Sequence, residues 1–182
     1  VVSLPVTIGG VEPVGEADPT SVTFPDPTPD NRSNITVDFG FYTMTLGNLV
    51  WFDANDNGVV DGTEAGLDGV TVYLFPVGGN LAGPPLATTT TANGGLYSFP
   101  GLPAGDYIVQ IPANNFTGVL TGFSSSTGGA GNPFETAPGV DPNNGTDSDD
   151  NGVHTAGPSS PINSAPITLT PGGAGLIVDN VA

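Results

Sequence analysis

The feature that most narrows the fold of this chain is a succession of short alternating runs, each bounded by glycine, proline or an Asn-Gly pair. Candidate strands fall at 1–8, 20–24, 34–43, 46–52, 69–75, 86–91, 95–99, 105–111, 116–123, 165–170 and 175–178, the run at 116–123 being the weakest. In 34–43, Ile35, Val37, Phe39 and Phe41 share one face, while Thr36, Asp38 and Tyr42 point the other way, because successive side chains in a strand alternate. In 69–75, Val70, Val72 and Leu74 share a face. Asn93-Gly94 between 86–91 and 95–99 is a hairpin signal. No stretch sustains a helical period. Short strands at this spacing, separated by turn residues, predict an all-β chain folded as an antiparallel β-sandwich. The segment 9–32, dense in Pro, Gly and acids, reads as a linker or long loop, and 124–161 reads mostly as loop. The predicted organisation is an extended N-terminal β arm over 1–45 and a sandwich over 46–182.

Between the strands at 46–52 and 69–75 lies a twelve-residue segment, 53–64, that fits the pattern D-x-[DN]-x-[DN]-G-x5-E at every specified position. Asp53, Asn55 and Asn57 occupy positions 1, 3 and 5, where short oxygen-bearing side chains converge. Gly58 allows the sharp turn at position 6. Val59 offers a backbone carbonyl at position 7, Asp61 an oxygen at position 9, and Glu64 a bidentate carboxylate at position 12. A donor set of six or so oxygens, without nitrogen or sulfur, suits the hard cation Ca2+. The loop joins two strands and has no flanking helices to open, so it reads as a rivet and not as a sensor switch.

The charge balance agrees. The chain carries 18 acidic residues against one basic residue, Arg32, for a net charge of -17. Counterion release at a nucleic acid and docking to an anionic membrane both need basic residues, so neither partner is expected. Half of the carboxylates lie in two short segments, 53–68 and 141–150, and such crowding is repulsive unless cations neutralise it. There are no cysteines, which removes disulfides, thiolate metal sites and thiol nucleophiles. No apolar run reaches the length of a membrane span, and nothing reads as a signal peptide. The chain starts at Val1 without a methionine, as a processed product or an excerpt of a longer protein does. The 28 glycines and 19 prolines overlap the composition of disordered chains, but the alternating runs between them argue for order.

A second acidic segment repeats the first half of the pattern, with Asp147, Asp149 and Asn151 at positions 1, 3 and 5, then Gly152 and the Val153 carbonyl. Pro158 stands where the closing acid belongs, so the segment is either a half-site completed by another carboxylate, Asp141 being nearest in sequence, or a solvated acidic turn. The lone histidine, His154, lacks any nucleophile-elbow context, and a surface-loop position is the expectation; no catalysis is predicted. Four sequons, at Asn31, Asn34, Asn115 and Asn144, are candidate glycosylation acceptors.

One internal repeat bears on organisation. The hexapeptide 3–8 (SLPVTI) recurs at 164–169 (SAPITL), and a Gly pair follows each copy. On that reading the first 45 residues are the tail of an upstream unit, and the unit at the C-terminal end lacks its own copy of the 34–43 strand. A sandwich short of a strand exposes unpaired edges and an open core.

The stretches 46–58 (LGNLVWFDANDNG), 64–74 (EAGLDGVTVYL), 90–99 (TTANGGLYSF) and 102–109 (LPAGDYIV) closely resemble the SdrD B-like domain, a relative of the Cna B-type, prealbumin-like (Ig-like) sandwiches of bacterial surface proteins. The likeness spans 46–111 with specific motifs. It implies a calcium-stiffened repeat module or stalk in an extracellular, cell-surface adhesin or fibre, without catalysis, and it assigns Asp53, Asn55, Asn57, Asp61 and Glu64 to the metal loop. Some Cna B-type domains cross-link Lys to Asn; this chain has no lysine, so that staple is excluded. The expectation is therefore a calcium-stabilised structural subunit or repeat. Its neighbours are further copies joined head-to-tail by strand complementation, the N-terminal arm with 1–8 and 34–43 completing the open end of the next unit, or tandem domains of one chain. The alternative is an adhesin module that binds a glycan or a protein.

Overall fold

The computed structural model describes residue 2 and residues 39–62, 64–126, 141–143, 148–154, 157 and 160–171. The chain divides into two compact units, Val1–Phe41 and Tyr42–Ala182. Of the strands expected in the first unit, 1–8, 20–24 and most of 34–43 lie outside the described residues, as does 175–178. Residues 39–43 are described and form no strand; Phe39 and Phe41, expected on one strand face, are 50% and 80% exposed.

The second unit is an antiparallel β-sandwich. Its strands are β1 (Met44–Leu49), β2 (Thr71–Pro76), β3 (Ala87–Thr90), β4 (Leu96–Leu102), β5 (Gly105–Ile111), β6 (Gly152–Val153), β7 (Ile162–Ser164) and β8 (Ile167–Leu169). β1 and β4 form a two-stranded sheet. The second sheet runs β3-β2-β5-β7-β6, with β8 also paired to β5. The 161–170 stretch makes two strands because Pro166, which has no N–H, breaks the ladder between them.

The alternation in β2 is realised: Val70, Val72 and Leu74 are fully buried. Val72 and Leu74 pack with Met44 and Leu46 of β1, Phe99 and Leu102 of β4, Tyr107 and Val109 of β5, and Leu169 of β8. Val70 belongs to a smaller cluster with Phe116 and Leu120. β3 is an edge strand of alternately exposed threonines, a polar edge that discourages unwanted pairing.

Two local expectations are corrected. The strands flanking Asn93-Gly94 do not form a hairpin with each other: β3 pairs with β2 and β4 with β1, so the chain crosses from one sheet to the other. The turn itself is present, with Asn93, Gly94 and Gly95 all at positive φ and mutual hydrogen bonds between Ala92 and Leu96. Long-range contacts redirect the strands that leave it. Asp68 Oδ1 accepts the Gly94 and Gly95 N–H groups at 2.9 and 2.7 Å, and Val50 N–H donates to Gly95 O at 2.9 Å. Gly66 lies so close to Gly94 that any side chain there would overlap its carbonyl. Thr91, buried, ends β3 by accepting the Val70 N–H and donating to Leu67 O.

The second correction is 116–123, which is not a strand. A 3-10 helix over Ala113–Thr117 leads into consecutive turns. The buried Asn115 side chain organises it, donating to Thr71 O and Pro112 O and accepting the Thr71 N–H.

Leu74→Ala should lower the unfolding free energy by about 2–5 kcal/mol through lost burial and a residual cavity. Urea denaturation of the variant reads this directly, and a loss below ~1 kcal/mol would mean that the two sheets do not meet at Leu74.

Candidate metal centre

The ends of the 53–64 loop are clamped by the backbone. Phe52 N–H donates to Ala65 O at 2.9 Å, and Trp51 bridges Gly66. Within the clamp the chain wraps around Asp53. Its Oδ1 accepts the Asn57 N–H at 3.2 Å, and its Oδ2 accepts the Gly58 N–H at 2.7 Å and the Ser126 hydroxyl. The wrap needs left-handed backbone at Asp56 (φ 59°) and Gly58 (φ 74°), which accounts for the glycine at position 6. Asn55 and Asn57 both turn their amide nitrogens to Asp61 Oδ2, at 3.2 and 2.8 Å. Glu64 reaches back across the loop: Oε1 accepts the Ala54 N–H at 2.8 Å and Oε2 the Asp61 N–H at 3.2 Å. Asp53, Asn55, Asn57, Asp61 and Glu64 are thus linked by hydrogen bonds within one loop, without their carboxylates converging on one point. Val59 N–H bonds Asn57 Oδ1 at 2.8 Å.

The second acidic segment docks on the first. Val59 pairs with Asp149 in an antiparallel bridge, Val60 N–H donates to Ser148 O at 2.8 Å, and Asp150 N–H donates to Gly58 O at 2.9 Å. Asp149, Asn151 and Val153 therefore lie in a strand-like segment against the first loop, Val153 pairing onward with Asn163 of β7. Asp147 lies outside the described residues. Asp141 does not complete this half-site among the described contacts; it is exposed, and its Oδ1 accepts the Asn143 N–H at 2.9 Å in a local turn.

Docking puts carboxylates close together. Asp150 Oδ1 accepts the Gly152 N–H at 2.9 Å, but Oδ2, like Asp149 Oδ1, is shut off from solvent with no hydrogen-bond donor among the described residues. The Asp150 carboxyl is pushed up to about 6, first by burial and then by the charges of Asp53 and Asp149, with the Gly152 N–H opposing. Asp53 moves the other way. Burial, its largest single influence, raises it, but the Ser126 hydroxyl and the Gly58, Asn57 and Asp56 N–H groups together hold it below the ordinary value. No three carboxylate or imidazole groups meet at one point among the described residues. The available oxygens are a mixture of carboxylate, carboxamide and backbone carbonyl, which is a hard-cation donor set. Two buried carboxylate oxygens without donors, on Asp149 and Asp150, are chemically suited to a divalent cation.

Asp150 and Ser126 were not legible as site residues. Asp150 occupies a non-ligating position of the half-pattern, and Ser126 lies far from either loop in sequence. His154 is also corrected: it is 1% exposed, not on the surface, and stacks on the Phe116 ring at 5.9 Å and 5°. Asn115 leaves the set of glycosylation candidates, because its amide is buried and committed to three hydrogen-bond partners in the folded domain. Asn31, Asn34 and Asn144 lie outside the described residues.

The domain is an antiparallel sandwich with an acidic twelve-residue loop between its first two strands, and known proteins share this arrangement's sequence. The family model for the SdrD B-like domain matches residues 44–146, more than half of the chain, and the chain belongs to that family. It is 47% identical over 87 residues, 46% of this chain, to serine-aspartate repeat-containing protein I of Staphylococcus saprophyticus. It is 38% identical over 129 residues, 69% of this chain, to serine-aspartate repeat-containing protein D of Staphylococcus aureus strain Newman. A fibrinogen-binding protein of Staphylococcus epidermidis is 39% identical over 87 residues, 46% of this chain. These matches cover 4%, 9% and 8% of the respective relatives, so the chain corresponds to a small part of each.

The raised Asp150 carboxyl has a consequence for the metal-free protein. Its folded value of about 6 lies above its ordinary 3.8, so the folded state holds this proton more tightly than the unfolded state. The associated stability is complete below about 3.8 and is lost as pH rises through about 6. With chelator present, the melting temperature should fall between pH 5 and pH 7, and Asp150→Asn should flatten that fall. An unaltered slope in the variant would show that another group carries the pH dependence.

Proposed function

We propose that this chain is a calcium-stabilised structural module of an extracellular fibre or surface stalk, non-catalytic, assembled head-to-tail with further copies by β-strand complementation. The observation that carries the calcium reading is the docking of two acidic loops with carboxylate oxygens left buried and without donors. Asp53, Asn55, Asn57, Asp61, Glu64 and the Val59 carbonyl would hold one ion, and Asp149, Asp150, Asn151 and the Val153 carbonyl supply oxygens for the adjoining segment. The ion supplies positive charge that offsets the repulsion and ties three segments together. The chain's own residues do the rest: Gly58 and Ser126 orient Asp53, and Glu64 closes the loop. With neither cysteine nor lysine, the domain has no disulfide or Lys–Asn cross-link as a staple. Among the described residues, no helix is long and apolar enough to cross a membrane.

Membership of the SdrD B-like family and the likeness to repeat-containing proteins support the structural reading. An alternative is a module of an adhesin that contacts a protein or glycan, suggested by the relative whose name is fibrinogen-binding protein. Solid-phase binding of the purified chain to fibrinogen and to a glycan array separates the two readings.

Ligand binding to the folded state alone raises stability with free concentration, by about 4 kcal/mol at a thousandfold excess over Kd. Chelation should therefore lower the melting temperature by ten degrees or more, on the order of several kcal/mol in a domain of this size. Glu64→Gln should lose most of the calcium-dependent part while leaving the chelated melting temperature within a few degrees. Calorimetry with and without chelator makes both measurements, and an identical melting temperature in the two conditions overturns the metal reading. Negative-stain microscopy in the same buffers reports on assembly, and monomers at all concentrations overturn the head-to-tail reading.

A further inference from the structure

The two sheets of the sandwich are unequal. Among the described residues, the β4-β1 sheet has two strands and faces a sheet of six, and β1 has a strand neighbour on one edge only. Beside that open edge lies a cleft of about 750 Å3. It is lined by residues 45–53, nearly all of β1 and its continuation into the acidic loop, by the apolar Val109, Ile111, Phe116, Ile162 and Ile167, and at the acidic-loop end by Asp56, Asp149 and Asp150. A strand edge above an apolar floor is a place where a further strand belongs: the backbone bonds to the edge and alternate side chains fill the floor. Trp51 also lines the cleft, and its indole N–H is shut off from solvent with no acceptor among the described residues. A buried donor of that kind is costly unless an oxygen arrives.

Building on the head-to-tail reading, we infer that this cleft is the strand-acceptor groove and that its occupant is residues 34–43 of a second copy of the chain. Three observations select that segment. It is the longest alternating run of the sequence, with Ile35, Val37, Phe39 and Phe41 at every second position. Phe39, Phe41 and Tyr42 are 50%, 80% and 62% exposed, three large apolar or aromatic side chains of one segment. The internal repeat gives the order of elements: the hexapeptide 3–8 is followed by 34–43, and its counterpart at 164–169 contains β8, which pairs with β5 in the sheet that lines the cleft. At about 3.3 Å per residue, ten residues span some 33 Å, enough to run the length of β1 and reach Trp51. Residue 43 is followed directly by β1, so the donated strand of one copy passes into the first strand of its own sandwich without a spacer. The joint between copies is then a single extended segment shared by two sandwiches, a head-to-tail contact that does not close on itself.

The test uses the full chain, which has no cysteine of its own. Thr45→Cys, on the outward face of β1, is mixed with Thr36→Cys, Asp38→Cys or Tyr42→Cys and oxidised, with Thr88→Cys on the opposite sheet's edge strand replacing Thr45→Cys as the control. The expected result is a disulfide between Thr45→Cys and one donor position, identified by mass spectrometry of the linked peptides, at a yield at least tenfold above the Thr88→Cys control. Phe39→Asp with Phe41→Asp should weaken association by about a hundredfold, two anchors being removed from a buried groove, while leaving the melting temperature of the monomer unchanged. Assembled chains that cross-link equally or better at Thr88→Cys overturn the groove and leave head-to-tail assembly standing. An intramolecular disulfide in a Thr45→Cys/Asp38→Cys double variant at high dilution places the segment in its own chain and overturns exchange between copies. A chain that stays monomeric in sedimentation at every concentration, with calcium present, overturns the groove and the assembly reading together.

Discussion

Two backbone hydrogen bonds, Val60 N–H to Ser148 O and Asp150 N–H to Gly58 O, dock one acidic loop on another, and the electrostatics of the domain follow from that contact. Backbone pairing is indifferent to side-chain charge, so it can bring Asp53, Asp149 and Asp150 within reach of one another despite their repulsion. The cost appears in the raised Asp150 carboxyl and in the oxygens buried without donors. A folded domain carries such a cluster either by taking up protons or by taking up cations. In the reading proposed above it takes up cations, and the strain in the loops becomes the source of calcium-dependent stiffness.

The position of the loops makes that stiffness mechanical. The 53–64 loop connects the two-stranded sheet to the larger one, and the 148–153 segment leads through β6 and β7 into the larger sheet. A cation held between them would join three stretches of chain at the point where the sheets are linked. Neighbouring anchors also serve this joint. Asp68 uses its carboxylate to hold the Gly94–Gly95 turn, and Ser126 uses its hydroxyl to hold Asp53, so not every acid near the site is available to a metal.

The inequality of the sheets complements this picture. Met44 and Leu46 of β1 reach the core, yet the strand's outer edge borders a cleft lined in part by apolar residues. On the proposed reading, a cation bound at the docked loops would resist bending within the module, and the open strand position would offer continuity between modules.

Most strands of the second unit, though not β6 or β7, and the sharp turn at Gly58 were legible in the sequence, because alternation with period two and a glycine at a tight turn are local and need no distant partner. The buried face of Val70, Val72 and Leu74 was legible for the same reason. Tertiary structure alone decided which sheet each strand entered. Asn93-Gly94 correctly marked a turn, but Asp68, Gly66 and Val50, all distant in sequence, sent β3 and β4 to opposite sheets. It also decided that Asp150 stands near Asp53, that Asp141 keeps to a local turn, that His154 is stacked in the interior, and that Asn115 is a buried bracket. Apart from the Asp141 turn, each of those outcomes rests on a contact between residues far apart along the chain. Local pattern carries no information about such pairs until packing brings them together.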